Sequence, residues 1–222
     1  MNICQAFAYV FHDRDDWFRK IAFPALCGLI PIIGPFIVSG WSLKAARNVM
    51  EGQSDDALPE LNFGQDLGRG LMAALITVIY SIPTIILIGL SVPLFVQVGN
   101  GESSGVLLAI LGGCLALLGI VIGILLMLLS VLAVAHYVAR GKFGAAFRFK
   151  ELFAILKKGF GNWLLVLLAQ FVALSIIAPL GSIACGIGAL LTSAYGQAVY
   201  AHIMGQAYRL STEPDFVMVQ DL

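Results

Sequence analysis

Charged residues are scarce in this sequence, and their scarcity excludes most soluble proteins. The 222 residues include 13 basic and 13 acidic side chains, which together make up 12% of the chain, whereas soluble domains carry about 25%. Hydrophobic residues make up 59%, and the mean hydropathy is +0.93. This composition excludes a soluble globular enzyme, a nucleic-acid-binding protein and a disordered protein. The formal net charge of zero provides no basic field for nucleic acid.

Long uncharged intervals separate the few charged residues. Residues 21–43, 70–101, 103–139 and 159–208 contain no Asp, Glu, Lys or Arg. About 20 apolar residues form a helix that crosses a bilayer, and a backbone in lipid must satisfy its own hydrogen bonds. The intervals show no period-two alternation, which indicates helices. The sequence therefore predicts an all-α, polytopic helical membrane protein with four full spans, because the last interval is long enough for two.

The predicted organisation follows from these intervals. Residues 1–20, in which apolar residues recur at helical spacing, form an interfacial amphipathic helix, and residues 21–210 form a single helical membrane domain. A C-terminal tail follows over 211–222. The predicted membrane segments are 21–43, 70–97, 105–139, 162–180 and 185–208, with loops over 44–69 and 140–161.

The first membrane segment is broken by proline. Pro31, Gly34 and Pro35 stand at its centre, where proline removes a backbone donor and clashes with the preceding turn. We favour a re-entrant hairpin with these three residues at its tip, because all basic residues then lie on one side of the membrane. A single kinked span is the alternative. Since Lys and Arg prefer the cytoplasmic side, both arrangements place the loops 44–69 and 140–161 and the C-terminus in the cytoplasm.

The usual marks of catalysis and cofactor binding are missing from the sequence. The spans contain none of the Asp, Glu, Lys or Arg residues that mark proton relays and catalytic dyads. There is no His-Glu-x-x-His, no Walker loop and no Gly-x-Ser-x-Gly. Cys4, Cys27, Cys114 and Cys185 lack the paired spacing of a disulfide framework or metal site. We therefore expect no catalytic residue, no cofactor, no metal site and no enzymatic activity. The chain also lacks the pattern of a cleavable signal peptide.

Two stripes at helical spacing are candidate functional faces. The first is polar and consists of Thr192, Tyr195, His202, Gln206 and Arg209. At about 100° per residue these side chains share one face, which would line a polar pathway or form a helix–helix contact. The second stripe consists of small residues, namely Gly112, Ala116, Gly119 and Gly123. Small residues let helices approach closely, so this stripe predicts a packing seam within the chain or between copies.

Several short motifs resemble those of a known family. In order they are Phe11–Lys20 with its central Trp17, Gly28–Gly34, Gly40-Trp41, Ala46–Val49, Glu51-Gly52, Leu58–Glu60, Asp66-Leu67, Gly70-Leu71, Ile79–Pro83, Phe149–Glu151 and Ala201–Arg209. Their order and spacing are similar to those of the prokaryotic membrane proteins known as domain of unknown function 4013. Leu61 departs from the Trp expected after Pro-Glu. The resemblance implies a multi-pass helical protein of a prokaryotic inner or plasma membrane, and it implies no activity.

Two functional hypotheses remain open at this stage. The first is a non-enzymatic membrane protein that assembles with itself or with a membrane partner protein, with the lipid bilayer as its other partner. It rests on the charge-free spans, the small-residue stripe, the re-entrant hairpin and two interfacial amphipathic segments, residues 1–20 and 140–161. The second is a channel or transporter for a small solute or lipid, which rests on the polar stripe and the proline-broken first segment. We expect no nucleic-acid partner.

Overall fold

Helices dominate the computed structural model, which describes residues 3–11, 16–52, 58–98, 105–177, 179, 181 and 187–212, and no strand occurs in these ranges. The predicted all-α class is confirmed for this part of the chain. In order, the elements are α1 (Ile3–Ala8), a 3₁₀ turn (Tyr9–Phe11), α2 (Trp17–Cys27), α3 (Ile33–Met50), α4 (Phe63–Val98), α5 (Gly105–Arg140), a second 3₁₀ helix (Phe143–Phe147), α6 (Phe149–Lys158), α7 (Phe160–Val172), a π-helical stretch (Ala173–Ile177) and α8 (Ile187–Thr212).

Three helical stretches in the described ranges are long and apolar enough to cross a membrane. They are Phe63–Val96 in α4, Gly105–Arg140 in α5, and Phe160–Ile177, which runs from α7 into the π-helical stretch. Each coincides closely with a predicted segment, because intervals without charge are the ones that lipid tolerates. These helices make the chain a membrane protein by length and composition.

Helix α8 occupies the predicted fourth span but is more polar than the other three. It carries Tyr195, Gln197, His202 and Gln206 among its apolar residues, and it is not one of the three stretches above. Its most extensive contact is with α3, followed by contacts with α7 and α2. A helix covered by other helices can carry polar side chains that lipid would reject. The count of four spans stays a prediction.

The proline-broken segment folds as two helices joined by a turn. Helix α2 ends at Cys27, the chain turns over residues 28–32, and α3 begins at Ile33. Of the predicted tip residues, Pro31 lies in the turn, and Gly34 and Pro35 lie in the first turn of α3. The N–H that Pro35 lacks is no loss at this position, because the backbone N–H groups of the first helical turn have no acceptor within the helix. Re-entry of this helix pair into one leaflet stays a prediction.

The chain divides into two compact units, Met1–Ala74 with Leu132–Leu222, and Leu75–Val131. The predicted single domain over 21–210 includes parts of both. In the first unit α8 lies at the centre, and its contacts with α1, α2, α3, α6 and α7 form the core. Trp41, Trp163, Tyr9, Ile37 and Met204 are among its largest fully buried side chains.

The second unit pairs the membrane portions of α4 and α5 through the small-residue stripe. Cβ atoms added at Gly112, Gly119 and Gly123 would lie 3.2, 3.0 and 2.9 Å from side-chain atoms of Leu94, Ile88 and Thr84. Ala116 stands between these glycines on α5 and is half-buried. The glycine face is therefore placed against α4 of the same chain, where absent side chains let the two helices approach.

The remaining predicted segments are described only in part. The sequence predicts one helix over 1–20, but its described residues form α1, the 3₁₀ turn and the start of α2. The loop 140–161 contains the second 3₁₀ helix and α6, whose Phe149 and Phe153 are exposed while Leu152 is buried. Most of the turn expected between the last two spans and most of the tail 211–222 lie outside the described residues.

Candidate functional site

The five residues of the predicted polar stripe lie in the first unit, and each has a protein contact. Thr192 Oγ1 donates to the Gly188 carbonyl oxygen of its own helix at 3.0 Å. Tyr195 Oη donates to the Phe7 carbonyl oxygen at 3.2 Å. A hydroxyl that bonds its own helix or a neighbouring backbone needs no water. These two residues therefore serve helix contacts, and the predicted polar pathway along the stripe stays a prediction.

The buried His202 and the half-buried Gln206 form a bonded pair within the stripe. The Gln206 side-chain amide nitrogen lies 2.9 Å from His202 Nε2, and it donates to that nitrogen when the ring proton is on Nδ1. His202 is fully buried, and its ring centroid lies 4.5 Å from that of Tyr9. The 3₁₀ turn thereby packs on the centre of α8. The i, i+4 spacing that placed the two polar residues on one face also lets them bond.

Arg209, the last member of the stripe, lies at the loop that follows α3. A Cβ added at Gly52 would lie 3.5 Å from three guanidinium atoms of Arg209. Gly52 has a positive φ of 68°, a conformation that glycine adopts without strain. The five predicted residues thus extend along α8, and His202 and Gln206 bond to each other.

A second polar cluster joins α5, α6 and α8, and the sequence alone did not single it out. His136 Nδ1 lies 2.9 Å from Tyr208 Oη, and His136 Nε2 lies 3.0 Å from Glu151 Oε2. Arg148 Nη1 donates to Glu151 Oε1 at 3.0 Å, and Arg140 Nη2 is 3.6 Å from Glu151 Oε2. The available signal was that His136 and Tyr208 both stand near an arginine that ends an apolar segment.

The geometry of this cluster suits a neutral imidazole. In that form His136 Nε2–H donates to the Glu151 carboxylate, and Nδ1 accepts from the Tyr208 hydroxyl. His136 is 1% exposed and Tyr208 is 8% exposed, so the bond between them is shielded from water, whereas Glu151 is 39% exposed. Buried polar networks of this kind fix helix positions when every member is satisfied. The cluster therefore holds α6 against the ends of α5 and α8.

Glu151 is the group of this cluster whose titration bears on stability. Its hydrogen bond from the Arg148 guanidinium holds the pKa of the carboxyl below its ordinary value, with further lowering by His136. A carboxyl with a lowered folded-state pKa stabilises the fold above its unfolded pKa of about 4.3. That contribution is lost as the pH falls through the lowered value.

We expect Glu151→Gln to reduce the fall in melting temperature at acidic pH. The melting temperature of the wild-type protein in detergent should fall between about pH 5 and pH 3, and the Glu151→Gln curve should fall less. Glu60→Gln removes an exposed carboxyl and serves as the control, which should parallel the wild type. Parallel curves for Glu151→Gln and wild type would contradict the assignment.

A third cluster fastens the start of α4 to α3. Asp66 Oδ2 accepts from the Asn62 backbone N–H at 2.7 Å, and Asp66 Oδ1 accepts from Arg69 Nη1 at 2.8 Å. Arg69 Nη1 also lies 3.3 Å from the Gly40 carbonyl oxygen. Asp66 is fully buried. The carboxylate thus stabilises the first turn of α4, as acidic groups do at helix N-termini, and positions Arg69 on α3.

Pockets on the described part of the first unit include an apolar one and a charged one. One is apolar, has a volume of about 120 Å³, and is lined by residues of α1, α7 and α8 together with Ile177. The other has a volume of about 320 Å³ and is lined by Arg19, Lys20, Phe23, Glu60 and Leu61. Within the described ranges, no group of three or more His, Cys, Asp and Glu residues is arranged to hold a metal ion.

Comparison with known proteins gives one result. The model of a family described as Protein of unknown function (DUF4013) matches residues 24–187. No curated protein and no solved structure matches the chain. The family match covers most of the motifs on which the sequence resemblance rests, so the resemblance is confirmed.

Proposed function

The chain belongs to the family described as Protein of unknown function (DUF4013), and from this premise we propose that it is a non-enzymatic integral membrane protein that assembles with itself or with a partner protein in the bilayer. It would reside in the cell membrane of a prokaryote. The basic residues of the loops 44–69 and 140–161 favour a cytoplasmic position for both loops and for the C-terminus.

The exposure of the long helices is the observation that carries the proposal. Only 17% of the most apolar window of α4 and 18% of that of Phe160–Ile177 are buried. Outward-facing residues of the second unit include Ile82, Ile85, Val92, Ile110, Leu117, Leu118, Val121 and Ile124. In a bilayer such surfaces contact acyl chains or another protein surface, and association between copies would come from van der Waals packing. Because the glycines of α5 already face α4, assembly would use the opposite, outward face of this helix pair.

The polar clusters support a non-enzymatic role. His136 uses both ring nitrogens, and Asp66 uses both carboxylate oxygens, in contacts between or within helices. Catalysis needs a nucleophile or base that reaches a substrate. Groups engaged in this way act instead as links between helices.

We expect Cys114 to report assembly through cross-linking. Cys114 is exposed on α5, on the outward side of the second unit. In a variant with Cys4, Cys27 and Cys185 replaced by serine, a membrane-permeable bis-maleimide should yield a dimer band from native membranes. The matched control moves the thiol to the α4 side, as Cys114→Ser with Ala116→Cys, and should yield only monomer.

Two results together would overturn the assembly proposal. One is the absence of any cross-linked species from Cys114 and from a second outward position, Leu118→Cys. The other is a monomer mass for the purified protein by native mass spectrometry from lipid nanodiscs. A dimer mass that survives removal of detergent supports the proposal independently of the cysteines.

A channel or transporter is the second candidate, and the buried polar face of α8 favours it. His202 and Gln206 lie inside the first unit, and polar groups inside a membrane domain are where substrate paths form. Solute flux through proteoliposomes, lowered by His202→Ala and Tyr195→Phe, would support this function. Equal flux in protein-free and loaded liposomes would exclude it.

A further inference from the structure

The charged pocket of the first unit combines groups of both signs with apolar walls. Arg19, Lys20 and Phe23 come from α2, and Glu60 and Leu61 come from the segment before α4. Its volume of about 320 Å³ lies at the small end of ligand sites. It accommodates a polar headgroup, with the rest of an amphiphile left outside.

The Glu60 wall of this pocket is fixed by neighbouring bonds. Trp41 Nε1 donates to the Pro59 carbonyl oxygen at 2.8 Å in a buried hydrogen bond, and Lys44 Nζ donates to the Glu60 carbonyl oxygen at 3.0 Å. Leu58 is buried below them. The Glu60 backbone is therefore held in place while its side chain stays exposed at the pocket.

The apolar flank of α2 continues away from the pocket. Phe18, Phe23 and Leu26 are 59%, 56% and 57% exposed, and they lie on the same helix as the basic pair. Arg and Lys beside exposed aromatic residues are typical of the level where lipid headgroups meet acyl chains. A molecule with a charged head and an apolar tail fits both features at once.

From this arrangement we propose that the pocket binds a phospholipid whose headgroup carries a primary ammonium. Arg19 and Lys20 would hold the phosphate, since a guanidinium donates two parallel hydrogen bonds to phosphate oxygens. Glu60 would accept from the ammonium. An anionic lipid without an amine would place its negative charge near Glu60 with no gain. A quaternary choline offers that carboxylate no N–H donor.

Lipid retention during purification tests the proposal. The full-length protein is reconstituted in nanodiscs with equal parts of phosphatidylethanolamine, phosphatidylglycerol and phosphatidylcholine, extracted, and its bound lipids are counted by native mass spectrometry. We expect the ethanolamine lipid to be enriched over the other two. Glu60→Gln should lower the ratio of ethanolamine to glycerol lipid by about threefold, the factor of an exposed ion pair.

The second variant removes the two basic side chains of the pocket, and a matched control removes two basic side chains elsewhere. Arg19→Gln with Lys20→Gln should reduce retention of all phospholipids by about tenfold. Lys157→Gln with Lys158→Gln removes the same charge from the end of α6 and should leave retention unchanged. Melting temperatures close to that of the wild type show that the variants fold, because Arg19, Glu60, Lys157 and Lys158 are exposed and Lys20 is only half-buried.

Three outcomes would overturn the proposal. The first is equal retention of the three lipids by the wild type. The second is a Glu60→Gln variant with unchanged lipid preference. The third is displacement of bound lipid by millimolar inorganic phosphate as effectively as by ethanolamine lipid, which would identify a site for free phosphate.

Discussion

Gly40→Ala is expected to destabilise the protein by about 3 kcal/mol or more, among the largest effects of any methyl group added to this chain. Helices α3 and α4 approach at Gly40 and Gly70 so closely that their backbones touch. A Cβ at Gly40 would overlap the carbonyl oxygen of Asp66 and lie 2.8 Å from the Gly70 nitrogen. Conversely, a Cβ added at Gly70 on α4 would overlap the carbonyl oxygen of Phe36 on α3.

The size of this effect follows from what the added methyl group meets. A clash with the end of a flexible side chain is relieved by a new rotamer, but here both neighbours are helix backbone. The two helices would have to separate, and the contacts of α3 with α8 would be disturbed as well, because α3 packs on α8. Gly70→Ala should therefore cause a similar loss.

Thermal unfolding in detergent, read by tryptophan fluorescence, measures the loss. Gly68→Ala is the matched control, because it lies on the same helix two residues from Gly70 and its added Cβ meets nothing within 4 Å. It should change stability by less than about 1 kcal/mol. If the Gly40→Ala protein had the same melting temperature as the Gly68→Ala control, the two helices would not touch at Gly40.

This contact illustrates what the sequence could and could not predict. The motifs Gly40-Trp41 and Gly70-Leu71 were visible in the family resemblance, and glycine in an apolar helix indicates close approach. The partner of each glycine was not visible, because nothing in one sequence pairs two positions on different helices. The same limit hid the bond between His136 and Tyr208, which are 72 residues apart.

The membrane helices were the most predictable part of the fold. The interval 103–139 predicted a span over 105–139, and α5 covers Gly105–Arg140, because hydrocarbon rejects charge along the whole length of a span. Helix α8 was harder to classify for the opposite reason. Its surroundings are mostly other helices, so its sequence matches the polarity of the protein interior and not that of lipid.

The loss of the Asp66 carboxylate is the second substitution that we expect to lower the free energy of unfolding by a large amount. Asp66 is fully buried, and Arg69, which bonds it at 2.8 Å, is 20% exposed. Removing one partner of a buried ion pair leaves the other charge without compensation, which costs about 3–5 kcal/mol. Asp66→Ala also takes away the acceptor of the Asn62 N–H at the start of α4. Asp66→Asn keeps an oxygen acceptor and should lose less.

A double-mutant cycle separates the pair from the other contacts of each residue. Asp66→Ala, Arg69→Gln and the double variant are compared by chemical or thermal unfolding, and we expect a coupling above about 1 kcal/mol. Arg47 and Glu51 form the control pair at 2.6 Å, with side chains 46% and 41% exposed, and their coupling should stay below about 0.5 kcal/mol. Similar coupling in both cycles would mean that burial adds nothing to the Asp66–Arg69 bond. A larger value for Asp66–Arg69 would show that burial strengthens this pair, which positions the arginine that also reaches the Gly40 carbonyl oxygen on α3.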